Sequence, residues 1–301
     1  MYYLVYFLLR ALSLLPLQVL YLLSDFVYVL LVYVLGYRKK VVLQNLQIAF
    51  PEKSDTERTR ILKDFYHNLC DTFIEIIKVM HWDQEELLRR MTGDATLINQ
   101  WKASGRNVQV ITGHFFNWEI ANLSVAARCE LPFLGVYMPL TNQVMNRIFY
   151  KFRVKTGTIL VSATDFKNDV SDHLKKQYAL ILVGDQNPGN PARAWWMHYF
   201  GKPAPFVTGP AKGALKSDTV VLYADFYKLR RGYYHFDIEL VTATPRQYTE
   251  AELTRLLVRR VEQSVRKRPD NYLWSHRRWK HTWKPEYAAR WIDTVPPPAA
   301  D

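Results

Sequence analysis

The stretch Val108-Gln109-Val110-Ile111-Thr112-Gly113-His114-Phe115-Phe116-Asn117-Trp118-Glu119 indicates how this chain folds. Residues 108–111 form a short apolar run that is typical of a buried strand, and a helical pattern begins at Glu119 and extends to about residue 129. The glycine between them predicts a turn. In α/β proteins, turns at the ends of strands are where functional side chains are commonly placed.

The turn carries a histidine and a carboxylate, His114 and Glu119, five residues apart. A histidine can accept a proton from a reacting group, and a neighbouring carboxylate can hold its ring in the required tautomer. The sequence therefore predicts a His114–Glu119 dyad in which His114 is a general base. The group that this base would deprotonate has to be inferred from the rest of the sequence.

The same spacing occurs at two other places, His81/Glu86 and His281/Glu286. With eight histidines and 28 acidic residues in the chain, some of these matches are expected by chance. His81 lies between two predicted helices and is interpreted as a surface residue, and the His281 pair lies in a polar tail. Only His114 follows an apolar strand, so the catalytic interpretation is assigned to that pair.

Beyond residue 105, short apolar strands alternate with helical patterns. This alternation predicts an α/β fold with a mixed, mostly parallel sheet flanked by helices and with an antiparallel edge. A long amphipathic helix begins at the capping box Ser54-x-x-Glu57, and shorter helices are predicted at 83–91 and 95–103. Predicted strands are 108–111, 133–138, 158–161, 178–183, 219–227 and 233–241, and predicted helices are 119–129, 142–155, 165–176, 208–216 and 249–268.

The N-terminal 36 residues are much more hydrophobic than the rest. Residues 17–36 contain a single charge, Asp25, and approach the length that a membrane-spanning helix needs. Arg38, Lys39 and Lys40 follow directly, which by the positive-inside rule predicts that the remaining chain is cytoplasmic. A buried or interfacial helix is the alternative. The predicted division is a membrane anchor at 1–40 and one domain at 41–301, with a helical part at 54–103 and a core at 106–285.

The net charge of +12 indicates an anionic partner. The helix at 249–268 carries a one-sided basic run, which favours an acidic protein or an anionic membrane surface. The two cysteines, Cys70 and Cys129, form no CxxC pair, as expected in a reducing compartment.

Standard catalytic signatures are absent from the sequence. It contains no Gly-x-Ser-x-Gly elbow, no Gly-x-Gly-x-x-Gly or Walker loop, and no His-Glu-x-x-His or Cys/His cluster. We therefore expect no metal and no cofactor. A histidine base without a protein nucleophile in its motif is suited to activating a substrate hydroxyl that attacks a carbonyl or phosphoryl centre.

Four blocks of the sequence resemble the bacterial late acyltransferases of lipid A biosynthesis, within the lysophospholipid acyltransferase superfamily. They occur in the family's order and cover nearly the whole chain. The last block is the most specific to this branch. The blocks are Asn45-Leu46 with Ala49-Phe50-Pro51, Gly113-His114-x4-Glu119, Gly184-Asp185-Gln186-Asn187, and Pro269-Asp270-Asn271-Tyr272-Leu273-Trp274-x-His276-Arg277-Arg278-Trp279-Lys280.

The resemblance implies which residues act. It implies that His114 is the base, that Glu119 orients it, and that an arginine and an aspartate, matched here by Arg153 and Asp185, are also required. Backbone amides at the start of the Glu119 helix, or Arg153, are expected to stabilise the oxyanion.

The resemblance also implies a reaction and its partners. The expected reaction transfers a fatty acyl chain from an acyl thioester, with acyl carrier protein as donor, to a hydroxyl of a lipid A precursor at the cytoplasmic face of a bacterial inner membrane. The alternatives are another lipid acceptor, such as a lysophospholipid, an aminolipid or a glycosylated phosphatidylinositol, or a non-enzymatic binder of anionic lipid or nucleic acid. No nucleic-acid module is recognisable, so nucleic acid is not expected as a partner.

Overall fold

The computed structural model describes residues 1–298, apart from the side chain of residue 174. Seven strands form the main sheet and two form a separate ribbon. The main sheet contains β1 (Met91–Gly93), β2 (Val108–Thr112), β3 (Phe133–Tyr137), β4 (Ile159–Ser162), β5 (Ala179–Val183), β8 (Val220–Arg230) and β9 (Tyr233–Thr242), and the ribbon contains β6 (Trp195–Tyr199) and β7 (Lys202–Phe206).

The strand order of the main sheet is β1-β9-β8-β2-β5-β3-β4. The pairs of β2 with β5 and β8, and of β3 with β4 and β5, are parallel, whereas β8 and β9 form an antiparallel hairpin. The prediction of a mixed, mostly parallel sheet with an antiparallel edge is therefore confirmed. All five residues of β2 are buried, as expected for a central strand covered on both faces.

Helices flank this sheet. They are α1 (Tyr2–Leu14), α2 (Leu17–Val29), α3 (Lys39–Ala49), α4 (Asp55–Val79), α5 (Gln84–Arg90), α6 (Thr96–Asn99), α7 (Trp118–Arg128), α8 (Gln143–Arg153), α9 (Phe166–Ser171), α10 (Gly209–Ser217) and α11 (Glu250–Lys267). The capping box predicted at Ser54 and Glu57 is present at the start of α4, and a second one at Thr249 and Glu252 begins α11.

The register between β2 and β5 positions the site. Thr112 of β2 is paired with Val183 of β5, and both strands run in the same direction. Residues that follow the two strands by equal distances therefore emerge side by side at the carboxyl edge of the sheet, where α/β folds place their ligands. His114 and Asp185 each lie two residues beyond this last pair.

The apolar N-terminus forms two helices instead of one. Helix α2 starts directly after Pro16 and continues as a π-helical turn at Leu30–Val34, giving an apolar helix long enough to cross a membrane. One face of this helix is buried in the protein, including Leu20, Ser24 and Tyr28, and the opposite face is exposed. Its only acid, Asp25, forms an ion pair with Arg231 at the tip of the β8–β9 hairpin.

Several elements differ from the sequence predictions. Strand β1 and the ribbon β6–β7 are not among the predicted strands. Strand β1 has only three residues, too few to show a period, and β7 contains Pro203 and Pro205. Those prolines occupy alternate positions in a two-stranded ribbon, where one edge needs no amide donors. The predicted helices 95–103 and 165–176 are shorter, since α6 ends at Asn99 and α9 ends at Ser171. Helix α3 was not predicted, and the last three residues of the predicted domain lie outside the described residues.

Candidate active site

His114 is held by a carboxylate that follows a different strand. Its Nδ1 lies 2.7 Å from Oδ1 of Asp185, which is 71 residues away in sequence. The Asp185 side chain is almost fully buried, whereas 22% of the His114 side chain is exposed. The histidine therefore keeps access to solvent while its orienting partner lies behind it.

The electrostatics of this pair fix the tautomer of His114. Burial raises the pKa of Asp185, but the nearby His114, together with hydrogen bonds from His114 and Tyr272, lowers it more strongly, so that the pKa is about 2. Asp185 is thus a carboxylate at neutral pH, and it accepts a hydrogen bond from the Nδ1–H group of His114. The lone pair of the neutral ring is then on Nε2, as a general base requires.

A third residue of the same loop reaches the other side of the ring. The amide nitrogen of Gln186 lies 3.1 Å from Nε2 of His114 and donates to it. Gln186 belongs to the block that resembled the acyltransferases, but no role was assigned to it from the sequence. The signal in the sequence that could have pointed to Gln186 is its position directly after Asp185.

The predicted direct pairing of Glu119 with His114 is wrong in this structure. Glu119 binds Arg153 instead, with its Oε2 2.9 Å and its Oε1 3.2 Å from Nε of the arginine, and with a further bond from Nη2. Within residues 1–298 no hydrogen bond joins Glu119 to His114. Glu119 lies in the first turn of α7 and Arg153 in the last turn of α8. A negative charge is stabilised at the start of a helix and a positive charge at its end, so the helix dipoles favour both positions.

The start of α7 is capped by a residue of the same turn. The side-chain oxygen of Asn117 accepts from the amides of Glu119 and Ile120, at 3.2 and 3.3 Å. These amides are therefore occupied and do not provide the predicted oxyanion site. Arg153 is the remaining predicted donor, and its Nη1 makes no hydrogen bond within residues 1–298.

His114, Glu119 and Arg153 line one cavity of about 240 Å³. Thr112 and Asn122 are the other polar residues of the lining. The rest of the lining is largely apolar and comes from the strands and from α7, namely Trp118, Val136, Tyr137, Met138, Leu160, Ile181, Val183 and Phe226. An imidazole and a guanidinium thus line the same space as a largely apolar set of side chains.

The C-terminal block packs directly against the His114 turn. Leu273 donates its amide to the carbonyl oxygen of His114, and Phe116 donates to that of Asn271, so the two segments form a short antiparallel bridge. Asn45 of α3 donates to the carbonyl oxygens of Trp274 and His276, both at 2.7 Å. The first, second and fourth blocks singled out in the sequence therefore meet here.

The third block meets the same segment. Asn187 donates its backbone amide to Nε2 of His276 at 3.2 Å and its side-chain amide to the carbonyl oxygen of Arg277. The buried Arg278 donates to the side-chain oxygen of Asn187 at 3.1 Å and to the carbonyl oxygen of Pro205. Burial, followed by the charge of Arg278, lowers the pKa of His276 to about 4, so His276 is a neutral acceptor at physiological pH.

Most of the basic run on α11 is neutralised within the chain. Arg259 binds Asp293 and Glu262, and Arg266 binds Glu262 as well. Arg260 and Arg268 have acidic partners of their own, Glu239 and Asp225. Other basic side chains, on α3 and in the C-terminal block, are exposed, namely Lys39, Lys40, Arg277 and Lys280. Arg38, which precedes α3, donates to the carbonyl oxygen of Ser275 in the C-terminal block.

Neither cysteine is placed as a nucleophile. Burial raises the pKa of Cys70 to about 12 and that of Cys129 to about 11, so both are thiols at neutral pH. Within residues 1–298 no group of three His, Cys, Asp or Glu residues is arranged to hold a metal ion.

The chain was compared with known proteins. The model of the family described as bacterial lipid A biosynthesis acyltransferase matches residues 1–281. The chain is 24% identical to the lipid A biosynthesis palmitoleoyltransferase of Escherichia coli K12, over 81% of the chain and 79% of that protein. It is 23% identical to the lauroyltransferase of the same organism with the same coverage. It is 21% identical to the lipid A biosynthesis acyltransferase of Haemophilus influenzae, over 81% of the chain and 78% of that protein.

Proposed function

The chain belongs to the bacterial lipid A biosynthesis acyltransferase family and is an acyltransferase, and we propose that it moves a fatty acyl chain from a thioester donor to a hydroxyl of a lipid A precursor. The observation that carries this proposal is His114, whose Nδ1 is bound to Asp185, whose Nε2 contacts only the exchangeable Gln186 amide among the described residues, and whose ring lines a cavity with a largely apolar lining. The relatives are named for acyl transfer in lipid A biosynthesis, which supports the same acceptor class here.

In the proposed reaction, the acceptor hydroxyl replaces the Gln186 amide at Nε2 of His114. Nε2 takes the hydroxyl proton as the oxygen attacks the thioester carbonyl carbon, and Asp185 stabilises the imidazolium that forms. The tetrahedral intermediate collapses with cleavage of the C–S bond. The thiolate that leaves takes the proton back from Nε2, so the base is regenerated without any external reagent.

Arg153 is the proposed partner of the developing oxyanion. Its guanidinium is fixed by Glu119 through Nε and Nη2, which leaves Nη1 to face the negative charge. A preorganised cation in a site that excludes water stabilises such charge more strongly than the same cation in solvent. Glu119 would therefore act by holding Arg153, and not by orienting His114.

We propose that transfer is direct, without an acyl-enzyme. Nucleophilic catalysis needs a hydroxyl or thiol within hydrogen-bond reach of the base. Within residues 1–298, Nδ1 and Nε2 of His114 contact Asp185 and Gln186, and both cysteines are protonated elsewhere in the fold. Donor and acceptor would then bind together before the chemical step.

Acyl carrier protein is the proposed donor. The exposed cations Arg277 and Lys280 lie on the C-terminal block, which contacts the loop of Asp185, and Lys39 and Lys40 lie on α3, which contacts that block. Acidic carriers are attracted to such a surface. This attraction weakens as salt screens it. Turnover with acyl carrier protein thioester should therefore fall with ionic strength much more steeply than turnover with a coenzyme A thioester. Equal salt dependence, or a preference for coenzyme A, would count against the carrier protein.

The N-terminal helices are proposed to hold the enzyme on the cytoplasmic face of the inner membrane. The outward faces of α1 and α2 expose large apolar side chains, including Leu4, Phe7, Leu22 and Phe26. The inward face of α2 makes hydrogen bonds to α4, which supports a helix lying against the domain with its outer face in the bilayer.

A C-terminal reporter that is active only in the periplasm tests this arrangement. It should stay silent, and the protein should stay with the membrane after a high-salt wash. Periplasmic reporter activity would invert the topology and exclude a cytosolic donor.

Lipid A from a deletion strain tests the reaction itself. Mass spectrometry should show loss of one acyl chain, and its return when the wild-type gene is supplied but not when His114→Ala is supplied. Unchanged lipid A, with a missing chain on another lipid class, would reassign the acceptor.

Incubation of the enzyme with the acyl donor alone tests whether transfer is direct. It should leave no acyl adduct on the protein. A stoichiometric adduct that the acceptor removes would replace direct transfer by a covalent route.

A further inference from the structure

A fully buried carboxylate lies behind the catalytic turn. Glu75 of α4 accepts hydrogen bonds from three side chains on three other parts of the fold. Its Oε1 accepts from the Tyr21 hydroxyl at 2.8 Å, and its Oε2 accepts from the Tyr234 hydroxyl at 2.7 Å and from the Asn117 amide at 3.1 Å. A carboxyl group that is removed from water costs free energy unless it is hydrogen-bonded. Because Glu75 would lose this compensation if it moved away from its three donors, it is held in a defined position.

Asn117 links this carboxylate to the active site. Its side-chain oxygen caps the amides of Glu119 and Ile120, and its side-chain nitrogen donates to Glu75. Both ends of the amide are therefore used, and Glu75 fixes the direction of the cap. The cap in turn sets the start of α7, which carries Glu119 and follows His114 by only a few residues.

Tyr21 links the same carboxylate to the surface proposed to face the membrane. It lies on α2, whose opposite side exposes Leu22 and Phe26 to the surroundings. One continuous path of hydrogen bonds thus runs from α2 through Glu75 to the cap of the catalytic turn, and each link is between 2.8 and 3.3 Å long.

We infer that Glu75 is a positioning residue that ties the catalytic turn to α2 through Tyr21 and Asn117, so that turnover depends on the docking of α2. The inference rests on the proposed acyl transfer for its kinetic consequence. Its structural consequence, the order of the turn, does not depend on which reaction the turn performs.

The fold contains a matched control. One turn further along α2, the Ser24 hydroxyl donates to Asp71 of α4, also at 2.8 Å. Asp71 is buried like Glu75, but its other partners are Lys228 and Arg231 at the hairpin tip, and none of its hydrogen bonds within residues 1–298 reaches the catalytic turn. Ser24→Ala therefore removes an equivalent contact between the same two helices without touching the path to Asn117.

The experiment compares Tyr21→Phe with Ser24→Ala in the full-length protein, reconstituted in vesicles of phosphatidylethanolamine and phosphatidylglycerol. Both variants lose one hydrogen bond to a buried carboxylate and should show a similar decrease in thermal midpoint. Tyr21→Phe should lower kcat about tenfold with little change in KM, the size expected when the loss of one buried hydrogen bond is felt in the transition state. Ser24→Ala should keep kcat within about twofold.

Hydrogen exchange gives a second readout that does not depend on activity. The amides of Glu119 and Ile120 should exchange faster in Tyr21→Phe than in the wild type, and at the wild-type rate in Ser24→Ala. Equal kcat and equal exchange in the two variants would overturn the inference while leaving the proposed function intact. Faster exchange in Tyr21→Phe alone, with no acyl transfer by the wild type to any lipid acceptor, would keep the path and remove the proposed function.

Discussion

The proposed active site contains two acid–base pairs that differ in how they are built. His114 and Asp185 follow the ends of two adjacent parallel strands and meet at 2.7 Å, with the histidine partly exposed. Glu119 and Arg153 come from facing helix ends and form a multidentate ion pair, in which the carboxylate is almost fully buried. In the first pair, one ring nitrogen of His114 lies outside the pair and contacts the neutral Gln186 amide, whereas the second pair satisfies most of its charge internally.

In the proposed mechanism, this difference separates a residue that moves a proton, His114, from two residues that keep a charge in a fixed position, Glu119 and Arg153. A neutral imidazole beside a carboxylate can become positive and return within one reaction cycle. An arginine beside a glutamate keeps its charge throughout, so it can only provide a fixed field. The sequence motif places His114 and Glu119 together, but the structure gives them to different pairs.

Removal of His114 tests the first pair with the largest expected effect. His114→Ala should lower turnover by roughly 10²–10⁴-fold with the fold intact, because no other base reaches the hydroxyl. The matched control is His81→Ala, since His81 has a glutamate at the same spacing but is exposed on another surface. Turnover by purified protein and circular dichroism check the two expectations. Near-wild-type transfer by His114→Ala would remove this site from the mechanism.

Substitution of the two carboxylates contrasts the pairs. Asp185→Asn should lower kcat by roughly 10²–10⁴-fold with little loss of stability, because an amide no longer selects the Nδ1–H tautomer. Glu119→Gln should lower kcat less but should lower the free energy of unfolding by about 2 kcal/mol, because it leaves a partly buried arginine without its anion. Equal kinetic and stability losses in both variants would erase the distinction.

A double variant sharpens the assignment of Arg153. Glu119→Gln combined with Arg153→Gln leaves no unpaired charge in the partly buried pair, so thermal stability should recover relative to Glu119→Gln alone. Turnover should stay low, since the fixed cation is gone. Recovery of turnover together with stability would make the ion pair purely structural.

The smallest expected effect concerns the loop that carries Asp185. His276 has a folded pKa of about 4, whereas an unfolded histidine has a pKa of about 6.5. The unfolded chain therefore binds a proton in this window and the folded chain does not, so the stability that His276 contributes is complete above pH 6.5 and is lost as the pH falls towards 4. Urea unfolding at pH 7 and pH 4.5 should show a smaller pH effect in His276→Gln, whose side-chain oxygen can still accept from Asn187. An identical pH effect would assign the acid sensitivity to other groups.

Local sequence patterns determined a large part of this protein. Hydrophobic periodicity and the capping box located α4, and the apolar run before Gly113 located the central strand and the turn after it. These predictions held because helices, caps and buried strands depend on neighbours within a few residues. The strand–helix alternation gave the sheet class for the same reason.

Only the tertiary structure decided which carboxylate meets His114. A spacing of five residues suggested Glu119, but strand order is set by long-range pairing, and β2 lies beside β5 even though β3 and β4 come between them in the chain. That adjacency aligns His114 with Asp185, while the first turn of α7 points Glu119 at Arg153. The path from Tyr21 through Glu75 to Asn117 depends on the packing of α2 on α4. Neither helix encodes this packing in its own sequence pattern, because a contact between distant segments depends on where both of them lie in the fold.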